Sequence, residues 1–222
     1  RLVGSEMCIR DRVTEAGTIY SISEIKALCA FAHEHGLKVH LDGARFGNAL
    51  VSLGASPAEM TWKAGVDVVT FGATKNGALA CEAIIFFDKD LAGSMPFRRK
   101  RGGHTVSKGR LLGAQMVGYL EHDHWLDNAR HANAMAKALT DGFQALGFAR
   151  LPWPTQANEV FVVLPKAKAD ALNKAGIRAA LWESISLPQD FTIKADEVFL
   201  RFVLSFKTSE SEIARVLETL RG

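Results

Sequence analysis

An acid and a lysine each follow a short apolar run in this chain: Asp42 after Val39-His40-Leu41, and Lys75 shortly after Val68-Val69-Thr70-Phe71. A carboxylate that holds a pyridinium nitrogen and a lysine that forms a Schiff base are the pair that pyridoxal 5'-phosphate chemistry asks of a protein. The acid keeps the ring nitrogen protonated, so the ring stays a strong electron sink. The lysine tethers the aldehyde and exchanges it for a substrate amine. Two arginines add a second function. Arg45 lies three residues after the acid, and Arg201 interrupts the apolar run Phe199-Leu200-Arg201-Phe202-Val203. A planar guanidinium meets a carboxylate, from the protein or from a ligand, through two parallel hydrogen bonds.

Each residue also has a plainer use. Asp42 in a strand-to-helix turn serves equally to cap a backbone N–H or to hold Arg45. Lys75 also reads as a surface lysine in a glycine-rich loop. Against that, residues 70–80 carry little other charge, and a desolvated lysine gives up its proton readily, as a Schiff-base amine must. Arg201 in an apolar strand needs a partner, either a substrate carboxylate or a structural acid.

The pattern around these residues supplies a frame. Ser21-Ile22-Ser23-Glu24 is a capping box, with Ile25, Leu28, Cys29 and Ala32 at helical spacing behind it. Gly36 ends that helix, and 37–41 reads as a strand. Ser56-Pro57-Ala58-Glu59 repeats the start signal, Gly65 stops it, and 66–71 is the next strand. The apolar run 83–87 reads as a strand covered on both faces. Strand–helix alternation of this kind predicts an α/β fold with a mainly parallel, doubly wound sheet, whose ligands sit beyond the carboxyl ends of the strands. Asp42 and Lys75 fall at such ends. Residues 107–143 turn helical, with a break near Asp123. Past Gly147 and Pro152-Trp153-Pro154, strands near 160–164, 179–184 and 198–204 and a last helix from Ser209 predict a small α+β domain.

Three segments carry a family resemblance: His40-Leu41-Asp42-Gly43-Ala44-Arg45-Phe46-Gly47-Asn48-Ala49, Thr70-Phe71-Gly72-Ala73-Thr74-Lys75-Asn76-Gly77-Ala78, and Val198-Phe199-Leu200-Arg201-Phe202-Val203. They resemble the threonine aldolase and β-eliminating lyase family of fold-type I pyridoxal phosphate enzymes, nearest its low-specificity L-threonine aldolase branch. The resemblance covers the chain from about Val13 to its end. It implies the fold-type I transferase-like fold, with part of the large cofactor-binding domain in 13–124 and the long helix and small α+β domain in 125–222. It also implies that Asp42 binds the pyridine nitrogen, that Lys75 tethers the cofactor, and that Arg45 and Arg201 grip the substrate carboxylate. Lys108 aligns loosely with a segment that reaches a neighbouring subunit's cofactor phosphate, which implies a homodimer or homotetramer. The activity implied is cleavage of L-threonine, L-allo-threonine and related β-hydroxy-α-amino acids to glycine and an aldehyde. Another fold-type I reaction, β-elimination or transamination, stays open on Asp42 and Lys75 alone, as does a non-catalytic fragment. The family's ring-stacking histidine, candidate base and most of its phosphate cup precede the matching region, so the chain as given is expected to be inactive.

Residues 1–12 fit neither period nor family, and are set aside as a non-native scar. The net charge of +3 points to no polyanion, and no apolar run approaches the roughly 20 residues of a membrane span. Cys8, Cys29 and Cys81 make no CxxC, which favours a reducing cytoplasm. His33-Glu34-His35 and His122-Asp123-His124 put their rings on different helix faces, so no metal site is expected. The basic run Arg98-Arg99-Lys100-Arg101 reads as a solvated loop rather than a nucleic-acid surface.

Overall fold

The structure, a computed structural model, describes residues 6–9, 16–183 and 187–222. The chain divides into two compact units, one built on Tyr20–Asp127 with the N-terminal strand, the other on Asn128–Gly222 with residues 16–19. No helix among the described residues is long and apolar enough to cross a membrane.

The first unit is a four-stranded sheet in sequence order: β1 (Glu6–Ile9), β2 (Lys38–Gly43), β3 (Val68–Gly72) and β4 (Glu82–Phe86). β1–β2 and β2–β3 are parallel, and β3–β4 is antiparallel. Helix α1 (Ile22–Glu34) leads into β2, and its start is the capping box read from sequence. Glu24 N–H donates to Ser21 Oγ at 3.2 Å, and Ser21 N–H to Glu24 Oε2 at 2.7 Å. Along β2 and β3 the alternation buries Val39, Leu41, Val69 and Phe71, while His40, Asp42 and Thr70 on the other face stay half-exposed. His40 Nε2 and Thr70 Oγ1 lie 2.7 Å apart on that second face. Helix α2 (Phe46–Leu53) follows β2 and ends at Gly54 in the left-handed region.

Asp67, just before β3, ties the far end of the sheet together. Its Oδ2 accepts the Val39 N–H at 2.7 Å and lies 2.9 Å from His33 Nε2, and Lys38 Nζ donates to its Oδ1 at 3.4 Å. Burial pushes this carboxyl's pKa up, but the Val39 N–H, His33 and Lys38 together outweigh it and hold it below the usual value.

The second unit is a three-stranded antiparallel sheet, order β5 (Glu159–Pro165), β7 (Glu197–Val203), β6 (Ala180–Leu181). One face packs Val160, Val162, Leu164, Leu200 and Phe202 against α5 (His124–Gln144), α6 (Lys166–Lys174) and α7 (Glu210–Arg221) through Leu139, Phe143, Leu172, Ile213 and Leu220. The other face carries Phe161, Val163 and Phe199 under Trp153 and Trp182. Helix α7 starts on the Ser209–Glu212 capping box.

Several expectations from sequence are corrected. Ser56 and Glu59 do bond as a capping box, but only a turn and the 3-10 segment Trp62–Ala64 follow. The chain leaves helical dihedrals at Thr61 (φ −126°, ψ −106°), so no α-helix propagates from the box. β4 is an edge strand with Ile84 and Ile85 exposed, not one covered on both faces. The run Arg98–Arg101 ends a short helix, α3 (Met95–Arg101), with Pro96 in its first turn and its cations at the carboxyl end, where the helix dipole favours them. The reading of 1–12 as a scar concerns origin, not conformation; within that segment Glu6–Ile9 form β1 in register with 38–41. Strand pairing needs only backbone groups, so an open sheet edge accepts a segment without a side-chain pattern. Residues 1–5, 10–15 and 184–186 lie outside the described residues. The break near Asp123 is present, with His122 and Asp123 both at positive φ between α4 (Arg110–Leu120) and α5.

Asp67→Ala removes the acceptor of a buried N–H and is expected to destabilise the protein by about 1–3 kcal/mol at neutral pH in urea denaturation. Because the folded pKa is lowered, that contribution is complete above the unfolded value of about 3.9 and is lost as pH falls through the folded value. The gap between wild type and variant therefore closes in acid; a gap that stays constant to pH about 2 contradicts this account.

Candidate functional site

Asp42 and Lys75 leave the same end of the sheet on neighbouring parallel strands. Asp42 lies opposite Thr70 at the carboxyl end of β2, and Lys75 sits in the 3-10 turn Thr74–Asn76 that follows β3. The two strand ends are pressed together by glycines. A Cβ on Gly43 would fall 2.6 Å from the Thr70 carbonyl oxygen, and one on Gly72 would fall 2.9 Å from Ala44 Cα. The turn Asp42–Arg45 therefore rests directly on the end of β3. Asp42 Oδ1 accepts the Ala44 N–H at 3.1 Å, which fixes the carboxylate, while its Oδ2 takes no hydrogen bond from the described residues. Arg45 follows, half-buried, at the start of α2.

The turn that bears Lys75 is closed on every side. Ala73 N–H donates to the Cys81 carbonyl, Ala78 N–H to the Ala73 carbonyl, and Cys81 N–H to Thr74 Oγ1. Glu82 Oε1 accepts the Thr74 N–H at 3.3 Å, and Gln115 Oε1 accepts those of Leu79 and Ala80. Asn76 Nδ2 donates to both Tyr119 OH and the Trp125 carbonyl, each at 2.7 Å. Tyr119 and Trp125 pack with Phe46 and Phe71, ring centroids 5.5–6.4 Å apart. Burial first, then Glu82, pushes the Tyr119 pKa up to about 12 against the opposing Asn76 bond, so its hydroxyl stays neutral. Sequence reasoning expected a desolvated lysine, yet Lys75 is exposed. Side chains on a 3-10 turn point roughly a third of a turn apart, and Asn76 takes the inward direction.

Arg201 stands in β7 of the second unit, opposite Phe161 and Ala180 on the aromatic face. Its Nη1 lies 3.5 Å from Oε1 of the buried Glu159, and its guanidinium carbon lies 4.1 Å from the Trp182 ring centre. Its Nε is buried with no hydrogen-bond partner. Lys108 is exposed at positive φ just ahead of α4. The structure thus brings Asp42, Arg45 and Lys75 to one sheet end, places Lys108 elsewhere in the same unit, and carries Arg201 on the second unit.

The model of the β-eliminating lyase family matches residues 8–167. The chain belongs to this family. Among β-eliminating lyase relatives it is 47% identical over 167 residues to the low-specificity L-threonine aldolase of Pseudomonas aeruginosa, covering 75% of this chain and 48% of that one. It is 39% identical over 211 residues to the enzyme of that name from another Pseudomonas, covering 95% and 58%. A solved threonine aldolase from Leishmania major superposes with a TM-score of 0.86 at 30% identity, over 96% of this chain and 60% of that one. The fold is that of fold-type I pyridoxal phosphate enzymes. The chain spans about half the length of the curated relatives it matches.

Asn76, Glu82, Gln115 and Glu159 were not singled out from sequence. Glu159 had a legible signal: a lone acid heading the apolar run Val160–Leu164, paralleling the lone arginine in 199–203. Asn76 and Gln115 had none, because their partners are backbone atoms and a tyrosine far along the chain.

Gly43→Ala is expected to cost about 1–3 kcal/mol, because the atom it strikes is backbone. Gly113→Ala, inside α4 with nothing within 4 Å, is the converse case and should gain about 0.5–1 kcal/mol. Thermal melts of the two variants should move in opposite directions; a shared direction contradicts the close approach at the site.

Proposed function

We propose that this protein is a pyridoxal 5'-phosphate-dependent carbon–carbon lyase. Its substrates are L-threonine, L-allo-threonine and related β-hydroxy-α-amino acids, and its products glycine and an aldehyde. The observation that carries the reading is the pair Asp42 and Lys75 on adjoining parallel strand ends, held there by a backbone approach that excludes any Cβ. The donor set fits the cofactor: an anchored carboxylate with one oxygen unused, an exposed amine, and an arginine with an orphaned buried Nε.

When bound, the cofactor supplies a pyridinium ring that takes up the electron pair left when the Cα–Cβ bond breaks. Asp42 would hold the ring nitrogen through its carboxylate, which the Ala44 N–H on Oδ1 orients. Lys75 would tether the cofactor aldehyde through its Nζ. Arg201 uses its Nε and Nη2 edge for the substrate α-carboxylate, with Arg45 as the second guanidinium. Lys108 serves a neighbouring subunit's cofactor phosphate, which makes the working form a homodimer or homotetramer. Cys29 and Cys81 are both buried, and the chain's three cysteines make no CxxC, in keeping with a reducing cytoplasm.

Borohydride reduction in the presence of pyridoxal phosphate should fix the label on Lys75 in peptide mass mapping, and Lys75→Ala should lose it. The experiment is run on the 222-residue chain and on one extended with the amino-terminal part of a relative. Label on another lysine overturns the assignment. Threonine supplied to the labelling-competent protein should yield glycine and acetaldehyde; a keto acid with ammonia would instead mark β-elimination.

A further inference from the structure

Arg201 carries a positive charge on a sheet face that is otherwise aromatic, and it is held from two sides. In β5, Glu159 and Phe161 share a face with Arg201, because Phe161 is the residue directly opposite it. Glu159 is 3% exposed, and its Oε1 is 3.5 Å from Arg201 Nη1. On the other flank β6 pairs Ala180 with Arg201, and alternation brings Trp182 to the same face, its N–H donating to the Phe199 carbonyl at 2.9 Å. The Trp182 ring lies under the guanidinium at 4.1 Å and is itself braced edge-on by Phe161 at 5.6 Å. Acid and ring between them consume Nη1 and one face of the plane. Nε, on the edge it shares with Nη2, is buried and unpartnered.

We propose that Trp182 and Glu159 are positioning residues. They lock the Arg201 guanidinium so that its Nε–Nη2 edge alone is presented to the substrate α-carboxylate. The inference rests on the reading of Arg201 given above. A five-donor group free to rotate would meet a carboxylate in several ways; a plane stacked on an indole and tethered at Nη1 meets it in one. The aromatic face gives this its strength, since a desolvated guanidinium stacks more firmly than a hydrated one.

The test compares Trp182→Leu, Trp182→Phe, Glu159→Gln and Arg201→Ala. In the cofactor-loaded protein the apparent dissociation constant for glycine is read from the visible band. Trp182→Leu should raise it about tenfold, and Trp182→Phe, which keeps a ring face, should stay within about threefold. Arg201→Ala should raise it by about thirtyfold or more. For threonine cleavage the Trp182→Leu loss should fall on KM, with kcat little changed, because carboxylate anchoring serves ground and transition states alike. A readout free of cofactor is phenylglyoxal labelling mapped by mass. Trp182→Leu and Glu159→Gln should speed labelling of Arg201 several-fold relative to Arg150, which bonds Glu197 and the Thr192 carbonyl in the same unit. Equal acceleration at both arginines would mean general loosening and overturns the proposal. Unchanged glycine binding and labelling in Trp182→Leu overturns it too, while Arg201→Ala still weakens binding. If Arg201→Ala itself leaves glycine binding intact, the assignment of Arg201 falls, and this inference with it.

Discussion

The contact on which the candidate site depends is between two stretches of backbone. At the carboxyl ends of β2 and β3, Gly43 faces the Thr70 carbonyl, and Gly72 faces Ala44, at distances where a methyl group has no room. This approach sets the turn Asp42–Arg45 down on the strand that leads to Lys75. A carboxylate and an amine meant to hold opposite ends of one small ring must keep their spacing, and backbone on backbone is the stiffest spacer a protein has. The flexible parts are then pinned to this rigid pair. The Ala44 N–H orients Asp42, and Asn76 joins the lysine turn to the aromatic group of Phe46, Phe71, Tyr119 and Trp125.

The second unit solves a different problem with the same economy of parts. Its small sheet is apolar on one face, where three helices cover it, and mixed on the other. Placing Arg201 in the middle strand of such a sheet carries a desolvation cost, which Glu159 offsets by charge and Trp182 by its ring face. One nitrogen remains without a protein partner. Arg150 Nε and Asn158 Oδ1 in the same unit are likewise buried without a partner, but Arg201 Nε is the one on the middle strand. An unpaired buried donor is a liability for folding and an asset for binding, since a ligand that meets it relieves a cost already present.

The elements that position the site were legible where local chemistry decides the outcome. The capping boxes at Ser21 and Ser209, the stop at Gly36, the break at Asp123 and the strands around Asp42, Lys75 and Arg201 follow from neighbours in sequence. Four features were not legible, each for a physical reason. Ser56-Pro57-Ala58-Glu59 makes the bonds of a helix start, but Thr61 leaves helical dihedrals two residues later and a 3-10 segment follows. The apolar run of β4 does not disclose that it lies at an edge, because strand order is a tertiary property. β1 pairs through backbone groups and so has no side-chain signature. The exposure of Lys75 follows from which residue of a three-residue turn points inward, and that is decided by Tyr119 and Trp125, more than forty positions away.

Asn76 has a consequence for how such a molecule ages. It precedes Gly77, and an asparagine followed by glycine loses its side-chain amide to hydrolysis more easily than any other, because the next backbone nitrogen reaches the side-chain carbonyl unhindered. The cyclic imide so formed opens mostly to isoaspartate, which adds a methylene to the main chain, and otherwise to aspartate, which has only acceptors. It would turn an oxygen toward the Trp125 carbonyl, where Nδ2 now donates. Time alone would thus undo the fastening of the lysine turn, by a longer main chain in one product and by repulsion in the other. The folded turn, which holds that amide by two hydrogen bonds, is what slows the clock.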